Sequence, residues 1–149
     1  MPNTRRPALG LDREFVRLVH HRAYRDVVER QFGFWDVEQQ DEFFNGDWLR
    51  GGIEIIEADG EGCGYVAIKE RDECVLIREL VIDPRFQGRG IGTLVLSEAV
   101  ELGTSRGIPV RIGALHQNRN IGLYRRLGYV EIGRDDTHVF LEHRPHGAG

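Results

Sequence analysis

The sequence contains almost no lysine, and its basic side chains do not outnumber its acidic ones. Lys69 is the only lysine among 20 basic residues, and 24 acidic residues bring the formal net charge to −4. Proteins that bind nucleic acid normally carry a surplus of positive charge. The composition therefore argues against nucleic acid as a partner. Any bound phosphate must be held by backbone dipoles and a few arginines.

Long apolar runs are also missing. No stretch approaches the about 18 residues that a membrane span requires, and residues 1–11 lack the apolar segment of a signal peptide. We therefore expect no membrane partner and a location in the cytoplasm.

Cysteine is scarce as well, with only two residues. They lie on two consecutive predicted strands that turn near Arg71. In this hairpin Cys63 faces the region of Leu80. Cys74 faces the region of Lys69, so the two thiols are not opposite one another and a disulfide is not expected. Because no histidine clusters with them, a zinc site is not expected either.

What the chain does have is enough apolar content for one core. It has 149 residues, 40% of them hydrophobic, and this is about the size of a single domain. No internal repeat or low-complexity segment interrupts it. We therefore predict one domain over residues 1–149.

The most informative stretch covers residues 73–106, ECVLIRELVIDPRFQGRGIGTLVLSEAVELGTSR. Its first part is rich in β-branched residues and predicts a strand inside a sheet. Asp83 and Pro84 end that strand, and a glycine-rich turn follows at residues 87–92, QGRGIG, here called the glycine turn. Apolar residues then recur at helical spacing as far as Gly103 or Gly107.

A glycine-rich turn at the start of a helix suits phosphate binding, because the first helical N–H groups lack partners and glycines allow a ligand to approach closely. Two common phosphate loops do not fit the spacing. A nucleotide-hydrolase loop has lysine and then serine or threonine directly after its last glycine, whereas Gly92 is followed by Thr93 and Leu94. A dinucleotide loop of the form G-x-G-x-x-G would need glycine at position 93.

The pattern that fits is Gln-x-x-Gly-x-Gly after a strand that ends in x-Val/Ile-x-Pro. In these residues the sequence resembles the GNAT superfamily of acetyl-CoA-dependent N-acetyltransferases. The resemblance returns at residues 118–129, NRNIGLYRRLGY. Two blocks in this order and at this separation are far more specific than one glycine motif.

The remaining patterns predict the elements around these blocks. Asp12 and Asp36 are the expected N-caps of the first two helices, and Pro7 confines the first strand to a sheet edge. The tail at residues 144–149 is expected to fray. The predicted helices cover residues 12–30, 36–44 and 119–127 besides the helix after the glycine turn. The predicted strands cover residues 3–8, 52–58, 62–69, 73–82, 109–115, 129–133 and 137–142.

Strand 73–82, its helix and strand 109–115 form a β-α-β unit, which requires parallel strands. The predicted fold class is therefore α/β (α+β), with a mixed, mostly antiparallel sheet, one parallel β-α-β unit and helices on both faces. Resemblance to GNAT proteins further implies that the parallel pair splays apart and receives the pantetheine arm of the co-substrate.

The resemblance implies acetyl-CoA as that co-substrate, with no metal. By resemblance, the backbone of Leu80, Val81 and Ile82 pairs with the pantetheine arm and polarises the thioester carbonyl. We expect the diphosphate to rest on the glycine turn, so that a side chain at Gly90 or Gly92 blocks binding. The residues expected to hold it are Gln87, Gly88, Arg89, Gly90, Ile91, Gly92 and Thr93.

Two residues of the second block are expected at the reaction centre. By resemblance, the Tyr124 hydroxyl lies near the cofactor sulfur and acts as general acid toward the departing thiolate; the alternative is a packed helix tyrosine. Asn118 contacts the pantetheine, serves as an N-cap, or does both.

Glu79 is the candidate base, because it is a charged residue in an apolar strand and a water can relay the proton to it. The alternative is that it pairs with an arginine or faces solvent. His116 is the reserve base. His20 and His21 are expected to be surface histidines.

The acceptor cannot be named from the sequence. Aromatic residues between positions 32 and 48 either pack the helices onto the sheet or line an acceptor pocket. Acidic residues in the same region, which suit a cationic amine or simply face solvent, are Glu38, Asp41, Glu42 and Asp47. We therefore predict transfer of acetyl to a primary amine by direct attack. The alternative is a non-catalytic acyl-CoA-binding module; a homodimer is expected only by analogy.

Overall fold

The computed structural model describes residues 3–145 of the chain, so the prediction for the tail beyond residue 145 lies outside the described residues. Short 3-10 turns occur at Gly10–Asp12 and Pro84–Phe86. The helices are α1 Arg13–Phe32, α2 Val37–Arg50, α3 Ile91–Arg106 and α4 Asn120–Arg126. The strands are β1 Asn3–Pro7, β2 Ile53–Ala58, β3 Glu61–Glu70, β4 Val75–Ile82, β5 Val110–Leu115, β6 Val130–Arg134 and β7 His138–His143.

The strands form one sheet in the order β1-β2-β3-β4-β5-β7-β6. β4 and β5 are parallel, whereas β1 with β2, β2 with β3, and β7 with both β5 and β6 are antiparallel. Two hydrogen bonds join β3 and β4 at opposite ends of their hairpin, one from Asp83 N–H to Cys63 O and one from Arg71 N–H to Cys74 O. The predicted mixed, mostly antiparallel sheet with one parallel β-α-β unit is confirmed.

The parallel ladder is short. It begins with Val75 opposite Val110 and ends with Ile77 opposite Ile112, although β4 continues to Ile82. By contrast, β5 pairs with β7 along its whole length. The last residues of β4 therefore lie past the last position at which β4 is paired with β5.

The chain groups into two compact units. The first comprises Met1–Ala67 and Glu79–Ile91, and the second comprises Ile68–Arg78 and Gly92–Gly149. The first holds both long N-terminal helices and the glycine turn as far as Ile91, and the second holds β5, β6, β7, α4 and nearly all of α3. The assignment of all 149 residues to a single domain stays a prediction.

The core of the first unit forms where α1 and α2 cover the sheet. Phe44 is buried there and Trp48 packs against it, so the packing role predicted for the aromatic residues holds for these two rings. Phe32, Phe34 and Phe43 are instead exposed. The buried members of this core are Val16, Val19, Phe44, Ile53, Ile55, Tyr65, Ala67 and Val81.

The two predicted N-caps behave differently. Asp36 accepts a hydrogen bond from Gln39 N–H at 3.3 Å and caps α2 as expected. Asp12 makes no capping hydrogen bond to α1; its carboxylate accepts instead from Leu9 N–H and pairs with Arg6. The hydrogen bond from Arg6, helped by that from Leu9, lowers the pKa of Asp12 to about 2. Asp12 therefore occupies the predicted N-cap position of α1, but its side chain does not cap the helix, because Arg6 of β1 takes its carboxylate.

Of the two glycines considered as the end of α3, Gly107 is the one that ends it. Gly107 has a φ of 70°, which suits glycine at a helix C-terminus. Gly103 lies inside the helix, where an added Cβ would stand 2.7 Å from the carbonyl oxygen of Ile108. Gly103 therefore allows close packing against the chain that enters β5.

Both cysteines, Cys63 and Cys74, are buried and carry free thiols. In the described part of the chain, no three metal-binding side chains come together. None of the helices in residues 3–145 has the length and hydropathy needed to cross a membrane.

Gly64 is predicted to be essential for the packing of β3 on β4. A Cβ at this position would lie 2.3 Å from the carbonyl oxygen of Val81, which is backbone and cannot swing away. Gly64→Ala should therefore lower the free energy of unfolding by about 1–3 kcal/mol in urea denaturation. Gly46→Ala is the control, because its Cβ meets nothing within 4 Å in α2 and should add about 0.5–1 kcal/mol. Equal effects of the two substitutions would contradict the packing argument.

Candidate active site

A buried carboxylate sets the direction of the chain where β4 ends. The Asp83 side chain is 0% exposed, and its Oδ1 accepts a hydrogen bond from Arg85 N–H at 3.1 Å, which caps the 3-10 turn Pro84–Phe86. Its other oxygen pairs with Arg22 of α1 at 3.1 Å and with Arg85 at 3.0 Å. One side chain thus joins α1, the end of β4 and the chain leading into the glycine turn.

The environment of Asp83 favours its charged form. Burial alone would raise the pKa of this carboxyl. The hydrogen bonds from the side chain and backbone of Arg85, together with the charges of Arg85 and Arg22, outweigh burial and hold the pKa below its usual value. The corner is therefore held by an ionised group near neutral pH.

The glycine turn presents open backbone. Gly88 and Gly90 have φ values of 81° and 79°, and a Cβ built on either would meet nothing within 4 Å. The amides of residues 88–90 donate no hydrogen bond to any described residue. Gln87 differs, because its N–H points to Pro84 O at a long 3.4 Å and its side chain donates to Ile82 O at 3.1 Å.

Arginines surround the turn. The Arg89 guanidinium lies 4.9 Å from the centre of the buried Phe86 ring, and that of Arg85 lies 5.8 Å from it. With Arg22, three positive charges belong to this small region of the first unit. Sequence reasoning named only Arg89, since nothing in the pattern of α1 links Arg22 to a carboxylate 61 residues away.

The predicted site residues differ in exposure. Val81, Ile91 and Tyr124 are buried, and residues 87–90 are exposed. The half-buried members of the set are Glu79, Leu80, Ile82, Gly92, Thr93 and Asn118.

Tyr124 is a buried tyrosine of α4 with 4% of its surface exposed. Burial raises the pKa of Tyr124 to about 12, and a hydrogen bond with the Asn120 side chain opposes part of that rise. The phenol is therefore protonated at neutral pH. The Asn118 side chain accepts a hydrogen bond from Asn120 N–H at 2.8 Å, but the N-cap position of α4 is occupied by Arg119 and not by Asn118 as predicted.

Glu79 lies beside a second buried tyrosine. The pKa of Tyr65 is raised well above its ordinary value by burial first and by the charge of Glu79 next. Glu79 is thus close to the helix-covered core of the first unit rather than at a solvated strand edge.

The histidines correct one expectation. The prediction of a surface position is wrong for His20, which is buried against Tyr24 and Phe44. Burial, then the charge of His21, lowers the pKa of His20 to about 4. The Nε2 atom of His21 in turn lies 2.7 Å from Oδ1 of Asp41.

The reserve base His116 makes one contact with the sheet. Its Nε2–H donates a hydrogen bond to the backbone oxygen of His138 at 3.0 Å. In this tautomer the lone pair of the neutral ring lies on Nδ1.

The family model described as the acetyltransferase (GNAT) family matches residues 20–129 of the chain. The chain belongs to the GNAT family. The matched segment contains α2, the glycine turn, α3 and α4. The GNAT resemblance of the two sequence blocks is thereby confirmed.

Two archaeal relatives carry N-acetyltransferase names. An uncharacterized N-acetyltransferase of Methanocaldococcus jannaschii is 33% identical over 90 residues, which are 54% of this chain and 39% of the relative. An uncharacterized N-acetyltransferase of Archaeoglobus fulgidus is 31% identical over 104 residues, 62% of this chain and 67% of the relative. The chain thus spans about two fifths of the first relative's length and two thirds of the second's.

Solved GNAT proteins share the fold. The PaiA N-acetyltransferase of Thermoplasma acidophilum, crystallised with coenzyme A, superposes with a TM-score of 0.75 at 17% identity over 97% of this chain and 99% of its own. The ribosomal-protein-S18-alanine N-acetyltransferase of Escherichia coli gives a TM-score of 0.69 at 17% identity over 99% and 97%. These likenesses establish the GNAT fold.

Asp83→Asn should loosen the corner that precedes the GNAT glycine turn. Loss of the charge weakens the bonds to Arg22 and Arg85, and we expect the free energy of unfolding at pH 7 to fall by about 1–3 kcal/mol. Because folding lowers the carboxyl pKa, the stabilisation is complete above the unfolded-state pKa and disappears as the pH falls through the folded-state value. The difference between wild type and variant should therefore shrink below about pH 4 in urea titrations.

The exposed Asp59 provides the control. Asp59→Asn keeps a residue type that tolerates its φ of 55° and should leave stability unchanged. A loss in Asp83→Asn that stays constant down to pH 2.5 would contradict the assignment of the effect to the charge.

Proposed function

We propose that this chain moves the acetyl group of acetyl-CoA to a primary amine by direct attack, without a covalent enzyme intermediate. The observation that carries the proposal is the glycine turn, whose amides at residues 88–90 donate to no residue between positions 3 and 145 and whose Gly88 and Gly90 leave open space where side chains would stand. Membership of the GNAT family and the likeness to a protein crystallised with coenzyme A support it.

The diphosphate of acetyl-CoA fits this turn. Unpartnered N–H groups before a helix N-terminus attract anions, and left-handed glycines keep the backbone free of Cβ atoms. The charge of Arg89 and the helix dipole add to that attraction in a chain whose net charge is −4. The residues proposed to hold the diphosphate are Gln87, Gly88, Arg89, Gly90, Ile91, Gly92 and Thr93.

The pantetheine arm is proposed to pair with the backbone of Leu80, Val81 and Ile82. These residues lie past the last position at which β4 pairs with β5. An extended ligand binds such strand residues through main-chain hydrogen bonds, and one N–H can also polarise the thioester carbonyl.

Two protons must move for the reaction to balance. The amine nitrogen bonds to the acetyl carbon as the carbon–sulfur bond breaks. The nitrogen then loses a proton, and the thiolate of coenzyme A gains one. We assign the first transfer to Glu79, acting through a water, because its carboxylate lies at the edge of an apolar core. We assign the second to Tyr124, whose pKa of about 12 keeps it protonated and hence able to donate.

The second candidate is a module that binds acyl-CoA without catalysis. A module that only binds acyl-CoA does not require an ionisable group at the edge of the core of the first unit, or a buried phenol on α4. Glu79 and Tyr124 therefore favour the enzyme, and turnover decides between the two.

Gly90→Ala should abolish the thermal protection that acetyl-CoA provides. At 100 times its dissociation constant the ligand should stabilise the wild-type fold by about 2.7 kcal/mol. The added Cβ enters the open space of the glycine turn and forces a strained φ, at about 1–2 kcal/mol. Thermal unfolding with and without acetyl-CoA measures both effects.

Gly107→Ala is the matched control. Gly107 also has a left-handed φ, 70°, and open space around its Cβ, but it lies after α3. Both variants should lose similar stability, whereas only Gly90→Ala should lose the ligand effect. Protection of both variants by acetyl-CoA would sink the proposed diphosphate site.

Tyr124→Phe should lower kcat by about a hundredfold while binding of acetyl-CoA stays near the wild-type value. The ring that packs α4 is kept, and only the proton donor is removed. Release of free thiol, measured with a panel of primary amines, gives kcat, and calorimetry gives the affinity. An unchanged kcat would remove Tyr124 from the reaction. Acetylation of no amine by the wild-type protein would favour the binding module.

A further inference from the structure

The hydroxyl of Tyr65 is an unusual group in the core of the first unit. The residue is 1% exposed, and its oxygen makes no hydrogen bond of normal length to a described residue. A buried hydroxyl without such a partner destabilises the folded state. Phenylalanine would fill the same space without that cost, so the hydroxyl calls for an explanation beyond packing.

The sheet places this hydroxyl next to the candidate base. The hydrogen bond from Asp83 N–H to Cys63 O aligns β3 with β4. Counted from that pair along the antiparallel strands, Tyr65 lies opposite Val81 and diagonal to Glu79, and side chains at diagonal positions share one face. Tyr65 and Val81 both belong to the core beneath α1 and α2, so Glu79 points toward the same core.

The groups around the phenol are mostly acceptors. The charge of Glu79 acts on it together with Tyr24 of α1 and Asp47 of α2, and Glu79 is also near enough for a long hydrogen bond. The His20 ring packs at a tilt against Tyr24 with 4.7 Å between ring centres, and burial keeps His20 neutral at pH 7. Since burial keeps the phenol protonated, it is a hydrogen-bond donor beside carboxylates.

We propose that Tyr65 is a positioning residue whose hydroxyl donates to the Glu79 carboxylate, holding it ionised and directed while it accepts the proton from the amine. A donor favours the charged form of a carboxylate, so Tyr65 widens the pH range over which the base is ready. This inference rests on the role of Glu79 proposed above. It adds a residue outside both sequence blocks to the reaction.

Tyr65→Phe tests the inference through the pH dependence of kcat/KM. Without the donor the pKa of Glu79 should rise, and the acid limb of the profile should move up by about 0.5–1 pH unit. The melting temperature of the variant is measured alongside, because it reports whether the hydroxyl also supports the fold. A lower melting temperature with an unmoved acid limb would mean that the hydroxyl only supports the fold.

Tyr129→Phe is the control for loss of a buried tyrosine hydroxyl. Tyr129 is 2% exposed, and its hydroxyl donates to Leu96 O in the second unit. This variant should leave the acid limb where it is in the wild type. An equal shift in both variants would show a general effect of phenol removal and overturn the proposal.

A measurement without turnover separates this inference from the proposed function. Carbon-13 NMR of protein labelled at the glutamate carboxyls, with Glu79→Gln to assign the signal, reports the titration of Glu79 directly. A higher Glu79 pKa in Tyr65→Phe supports the contact even if no amine is acetylated, in which case only the proposed function fails. The same titration in wild type and variant overturns the inference, whether or not the enzyme is active.

Discussion

The structure of the candidate site depends on the burial of one ionised carboxylate. Asp83 brings together Arg22 of α1, Arg85 of the following turn and, through its own N–H, Cys63 of β3. A buried charge is stable only when it is paired, so the fold requires each of these partners of Asp83. The direction in which the chain enters the glycine turn follows from this requirement.

Other polar groups in the interior are neutral. Tyr65, His20 and Tyr124 are all buried, and burial shifts each pKa further toward the neutral form, upward for the two tyrosines and downward for the histidine. A neutral tyrosine hydroxyl can donate one hydrogen bond and can also accept, whereas a neutral histidine ring has one donor nitrogen and one acceptor nitrogen. Burial therefore favours the neutral form of these side chains, and a buried group that stays charged, such as Asp83, is one with charged partners.

Local patterns in the sequence predicted the elements and the parallel unit. Both residues of the Asp59-Gly60 turn have positive φ, the glycine turn follows β4 at the expected residues, and β5 runs parallel to β4. These features depend on residues within a few positions of one another, or on a crossover with one allowed geometry. They are the features for which sequence reasoning has a physical basis.

Features that depend on distant residues were missed. α2 continues six residues past its predicted end at Phe44, because Phe44 and Trp48 find a core that the sequence does not display. Asp12 was assigned to α1 although Arg6 of β1 takes its carboxylate. The pairing of Arg22 with Asp83 could not be predicted from local sequence either. A polar residue on a helix gives the same sequence pattern whether it faces solvent or a buried carboxylate.

The choice of amine in the proposed reaction also depends on residues that lie far apart in the sequence. Solved GNAT proteins superpose on nearly the whole chain at 17% identity, so most side chains differ while the backbone is shared. A backbone held in common cannot select among amines; side chains must.

The acidic residues of the first unit differ in their partners, since Asp41 pairs with Arg17 and His21 whereas Glu38 and Glu42 are exposed. Carboxylates with protein partners already have their charge compensated. Under the proposed function, a cationic acceptor would therefore bind at carboxylates that have no protein partner. The number of acidic residues in the sequence does not identify these carboxylates.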